Sequence, residues 1–450
     1  MSCETPPFRK SKTILPGFVR RGAVAGPGAI GLVLCAALAA VAGPSHAQGK
    51  AGLEAASVLP GAELAPAPLL KGPLHTVAEP VKVEGYFGRF VIESRFGRFS
   101  VHGANMLSVR VSELHAIEEL QKVQKDAAFT DALSKSATGV ANMAASTVND
   151  PGQTVENIGK GVGTVIGRIE YMGKSGANYV SDKASDATAS GSKPKPKPAP
   201  SGEPEPPSFT GDPLGYNKAR REWAKKLNID PYTSNPVLRP LLDNAASATF
   251  AGNFAVDLTL GAVAAPLQYA YSFDDTVRQS VWNKPAIDLA KENEAKLLAL
   301  GAQDRTVRDL LRNRWFTPTL QTALVSRLSA LGKMEGIESV VSAAAVTQGE
   351  TRTRFLLESL AMLATYHQKE GRLAKIRMSN LVPAGVTADG AVVAAVAIDY
   401  GIWDKDAAAF TQRKDLSAPR KTLLVAGKLS ARARQELEKA GWAVKTGLRA

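Results

Sequence analysis

The chain has 450 residues, 44% of them hydrophobic and 22% charged, with a formal net charge of +13 at pH 7. That balance supports a globular core divided over two or three domains. Two cysteines and five histidines leave little material for thiol chemistry or histidine-based metal binding.

Residues 1–47 carry Arg9, Lys10, Lys12, Arg20 and Arg21, then an apolar run over 29–41, then Ser45 and Ala47 as the small residues before a cleavage point. Basic, apolar and small-residue regions in that order make a secretory signal peptide, and the run falls short of the ~20 residues a membrane-spanning helix needs. The chain is therefore expected to be exported, to the periplasm or cell envelope. Cys3 and Cys35 both lie in this segment, so the mature chain is expected to hold no thiol, and its charge falls to +9. A basic exported protein is expected to meet anionic lipid, an acidic glycan or an acidic envelope protein rather than nucleic acid.

Residues 48–80, rich in Ala, Pro and Gly, read as a flexible leader. A small β-rich module is expected over 81–126. There Phe87-Gly88-Arg89-Phe90 recurs nine residues on as Phe96-Gly97-Arg98-Phe99, and aromatic and β-branched residues around glycine favour a hairpin. Met106 to Val111 alternates like a third strand, and Ser112 to Val123 reads as a helix with Leu114, Ile117 and Leu120 inward.

Residues 127–182 form a Gly/Ala-rich, weakly helical segment. Gly159, Gly163 and Gly167 stand four apart, a glycine-zipper spacing that allows close helix approach. Lys160 and Arg168 interrupt it, which leaves a helix lying on a membrane surface as one reading of 151–170. Residues 183–215 are a Pro/Lys-rich linker, with polyproline-II character at Lys193-Pro194-Lys195-Pro196-Lys197-Pro198.

Residues 216–370 read as a helical domain. Tyr216, Ala219, Trp223 and Leu227 share one helix face, Asn235 caps the next helix, Thr317-Pro318 opens another that Gly332 stops, and a long helix covers 350–367. Residues 371–450 form an α+β part, with strands near 373–378 and 391–400 and a βαβ unit over 422–446 whose helix Ser430 caps. The fold class is α+β, multidomain: a small β-meander plus helix, then a mostly helical domain ending in a small β-hairpin and βαβ unit.

Candidate site residues are few. His115 and Glu118 stand three apart on a helix, too little for a metal centre, and His367 sits on an apolar helix face; no metal site and no cofactor are expected. The loop Ala426-Gly427-Lys428-Leu429-Ser430 has one glycine where a dinucleotide site wants several. Arg305, Arg308 and Arg312 share one helix face, and Arg89 and Arg98 recur at matching places in the repeat, among phenylalanines. Guanidinium groups so placed suit anionic or sugar ligands. Asp399 and Asp404, beside Tyr400 and Trp403, are the carboxylates an enzyme acting on glycan would use. The function expected is that of an exported envelope protein without catalytic activity, contacting an anionic partner through its arginines. A hydrolase of cell-wall or glycan material, working through Asp399 and Asp404, is the alternative.

Overall fold

The computed structural model describes residues 52–135, 215–252, 254 and 275–449. The expected signal segment, the glycine-zipper stretch and the lysine-proline run lie outside the described residues. The described chain is α+β, with three sheets and three hydrophobic clusters.

The first sheet has six strands: β1 (Val58–Leu59), β2 (Lys71–Gly72), β3 (His75–Val77), β4 (Val81–Glu84), β5 (Phe87–Ser94) and β6 (Gly97–His102). The FGRF doublet makes its central hairpin. Strand β5 pairs antiparallel with β6 from Arg89↔His102 to Ser94↔Gly97, while β4 and β3 take the two halves of its other edge. Alternation along the pleat sends Phe90, Ile92, Phe99 and Val101 into the core and leaves Arg89 and Arg98 outside.

The structure corrects the sequence reading at two places here. Residues 58–77, taken as leader, supply three strands and the short helix α1 (Ala67–Leu70), with Leu64, Leu69 and Val77 buried. Their short apolar clusters have no period of their own; β1 pairs with β4, β3 with β5, and β2 with β3. Met106 to Val111 is not a strand but the start of α2 (Ala104–Val123). Gly103, at φ 91°, turns the chain out of β6 directly into that helix. Leu107, Val111, Leu114 and Ile117 then follow helical spacing, which a short apolar run cannot distinguish from strand.

Helix α5 (Leu238–Gly252) packs against α2, and α3 (Ala127–Lys135) and α4 (Tyr216–Lys226) pack against α5. Trp223, Leu238, Leu241 and Leu242 join Phe90, Ile92, Leu114 and Leu120 in one cluster. The β-rich module thus shares its core with helices from beyond the linker, so the linker does not mark a boundary between cores.

The second cluster fills the space among α6 (Asp275–Asn283), α7 (Ala286–Leu300), α8 (Asp304–Arg312), α9 (Pro318–Leu331), α10 (Ile337–Val346) and α11 (Glu350–Lys369). It continues onto a five-stranded sheet of β7 (Leu373–Ser379), β8 (Val382–Thr387), β9 (Val392–Val396), β11 (Lys421–Val425) and β13 (Trp442–Lys445), in the order β13-β11-β9-β8-β7. The hairpin side is antiparallel; β9, β11 and β13 are parallel, with α13 (Ala431–Lys439) crossing between β11 and β13. Strand β8 has no counterpart in the sequence reading because Pro383 and Gly385 argue against a strand interior. A two-stranded pairing of β10 (Tyr400–Gly401) with β12 (Lys428–Leu429) and the helix α12 (Lys405–Thr411) complete this part.

Candidate functional site

Several elements converge on a cavity of about 240 Å³. Arg98, Phe99, Val101 and His102 come from β6, Met106, Val109, Arg110 and Glu113 from α2, and Asp230 to Pro236 from the connection into α5. Trp315 and Thr317 lead into α9, and Glu350, Thr351 and Arg354 come from the first turns of α11. Thr317 caps α9 by accepting from the Leu320 amide at 3.4 Å, and Asn235 does the same for α5 with the amides of Val237 and Leu238. These caps fix two of the cavity's walls.

A continuous ion-pair network forms the floor. Arg110 donates to Glu113 at 2.9 Å and to Ser234 Oγ at 2.6 Å, and Ser234 donates onward to Glu350 at 2.6 Å. Arg354 meets Glu350 with two nitrogens, at 2.8 and 3.0 Å. Glu113 also accepts from Asn235 at 2.8 Å and from the Thr233 hydroxyl. Burial alone would push the Glu350 carboxyl up, but the charges of Arg354 and Arg110 outweigh it and hold the group below its usual range. Asp230 goes the other way: burial raises it, despite bonds from Thr319 Oγ1 at 2.7 Å and the Tyr232 amide at 2.8 Å. Arg110, Glu113 and Arg354 are 7%, 2% and 8% exposed, so their charges must be matched within the network.

A second cluster lies next to it, sharing His102, Met106, Thr351 and Arg354 through a narrow cleft. Asp399, 3% exposed, accepts from the amides of Gly88 at 2.8 Å and Ala104 at 3.1 Å and pairs with Arg449. It holds the first residue of α2, the end of a helix where a carboxylate is favoured. Glu358, one turn beyond Arg354, faces the same cleft; burial, with Asp399 adding to it, pushes its carboxyl up to about 7 although Arg449, Arg354 and Arg327 pull the other way.

The expected site residues are not gathered in one place. Arg98 lines the cavity with its side chain 70% exposed, held loosely by Glu93 at 3.9 Å. Arg89 turns instead to Ser100 and Glu84. Arg305, Arg308 and Arg312 belong to α8, off the cavity lining, and Arg308 is paired with Asp304. Asp404 caps α12, accepting from Asp406 and Ala407 amides, and takes the Tyr86 hydroxyl at 2.6 Å. Both carboxylates of the enzymatic alternative are therefore engaged in holding the fold. Glu118 pairs with Arg95, and His367 accepts from the Leu373 amide at 3.0 Å. At the head of α13, Ser430 is met by the chain's own Glu54 at 2.6 Å, and Gly427 packs against the Asp399 backbone.

Sequence reasoning missed Arg110, Glu113, Asp230, Trp315, Glu350, Arg354 and Glu358. A signal existed for most of them: charges set on the apolar stripe of α2 at 110 and 113, and Glu350, Arg354 and Glu358 in steps of four along α11. No group of acidic, histidine or cysteine side chains suited to a metal ion occurs among the described residues, and no described helix is long and apolar enough to cross a membrane. No family model matches the chain, and no curated protein or solved structure does.

Proposed function

We propose that this is an exported, envelope-associated binding protein without catalytic activity, which engages an anionic partner at the cavity between β6, α2 and α11. The observation that carries the reading is the combination of an internally neutralised floor with one exposed guanidinium, that of Arg98, on the lining. Buried pairs fix side-chain positions at a cost in stability, as expected where a polar surface is kept for recognition. Of the partners a basic envelope protein can meet, an acidic glycan suits the size best: a cavity of 240 Å³ lies below the ~300–1,000 Å³ of drug-sized ligand sites. The signal-like order of residues 1–47 supports export.

The test is crosslinking of the tagged protein in intact envelopes, with protein, lipid and glycan fractions kept. Retention in the envelope that weakens with salt is expected, because contacts at exposed arginines are screened within ~8–10 Å at physiological ionic strength. A chain found wholly free in the soluble fraction at low salt would refute the reading.

A further inference from the structure

Building on that reading of the cavity, we infer that it takes a monosaccharide-sized sugar acid: a polyhydroxylated body carrying one carboxylate. The charge count selects this class. On the floor, Arg110 and Arg354 are matched by Glu113 and Glu350. Asp230, buried beside them, is already held by the Thr319 hydroxyl at 2.7 Å and the Tyr232 amide at 2.8 Å. The floor therefore faces the cavity with carboxylate oxygens, hydroxyls and guanidinium edges, and the charges of its two arginine–glutamate pairs cancel.

An ion seated there would have to break an existing buried pair, whereas hydroxyl groups donate to and accept from both partners without disturbing it. Phe99, Met106, Val109, Trp315 and Leu320 supply apolar wall for the C–H surface of a sugar ring. Of the lining arginines Arg98 has the loosest acid partner, the equally solvent-facing Glu93 at 3.9 Å, and its planar fork suits a carboxylate. His102 lies four residues along the same strand, 3.5 Å from Glu84. A zwitterion would need a loosely held acid on the lining as well, and a dianion a second cation held as loosely as Arg98. A wholly apolar ligand would strip water from the network and leave its remaining polar atoms unpaired.

The experiment is titration calorimetry on residues 48–450, which hold the whole described fold, with galacturonate and galactose as probes. Galacturonate is expected to bind at least tenfold tighter than galactose. Arg98→Ala should bring galacturonate down to the galactose level and leave galactose unchanged. Arg420→Ala, an equally exposed arginine paired with Asp389 on the C-terminal sheet, should change neither. Equal binding of the two sugars, or a galacturonate affinity indifferent to Arg98→Ala, overturns the inference. So does the absence of sugar binding; if the protein is then still held in envelopes, the ligand class fails while the binding-protein reading stands. Loss of both removes both.

Discussion

Glu358 is the titrating group with the clearest consequence. In the unfolded chain its carboxyl releases its proton near the ordinary glutamate value of 4.5; in the folded chain it keeps it up to about 7. Between those values the folded state binds the extra proton, so stability falls as pH rises through that window and is level on either side. Burial opposes the charged form, Asp399 repels it, and Arg449, Arg354 and Arg327 recover only part of the cost. Chemical denaturation from pH 4.5 to 8 should show a loss of up to about 3 kcal/mol from this group, and Glu358→Gln should flatten that part of the profile. A wild-type profile unchanged by Glu358→Gln would mean that Glu358 titrates normally. At the same scale, Asp399 explains why carboxylates beside aromatics mislead. Its oxygens accept from Gly88 and Ala104 and pair with Arg449, so replacing it would unseat the start of α2 rather than report on catalysis.

Among the elements, the helix ends follow their sequence signals closely. Thr317, with Pro318 at the first position, opens α9, and Ser430 opens α13 with its hydroxyl accepting from the Ala433 amide at 2.9 Å. Thr317→Ala and Ser430→Ala should each cost about 1 kcal/mol in urea denaturation, the usual worth of an N-cap. Ser430→Ala should cost the more, since it also leaves Glu54 without that hydroxyl. Caps, stops and the FGRF hairpin were legible because each depends on a few neighbouring residues. The strand taken over Met106 to Val111 failed because six apolar-alternating residues fit two periods, and Gly103 settled it. Strands β1 to β3 were missed for another reason: two- and three-residue strands carry no pattern, and they are defined only by partners, β4 for β1, β5 for β3 and β3 for β2.

For the molecule as a whole, the shared core between the first sheet and helices α4 and α5 has a direct consequence. Residues 81–126 alone lack β1 to β3, which cover the sheet edge, and lack Trp223, Leu238, Leu241 and Leu242, which close the core. A unit of that size buries too little surface to be stable by itself. Expressed alone it should show no dispersed amide spectrum, while residues 48–450 should give a cooperative transition. A folded 81–126 fragment would restore the boundary at the linker. The C-terminal sheet is tied to the first one as well, through Asp399 and Tyr400, whose amides donate to the Tyr86 carbonyl at 3.0 and 3.1 Å.

By itself the sequence determined the α+β class, the hairpin, several helix limits and the βαβ end, because these rest on periodicity and on caps written within a few residues. The tertiary structure decided which charges matter. Arg110, Glu113, Asp230, Glu350 and Arg354 come from three separate stretches of chain, and only packing brings them to one buried floor. Arg98 and Arg89 are equivalent in the repeat, yet Arg98 alone lines the cavity, since the hairpin register places one beside α2 and α11 and turns the other toward Glu84. Equivalence along a chain ends where neighbours differ, and the neighbours are supplied by residues far away in sequence.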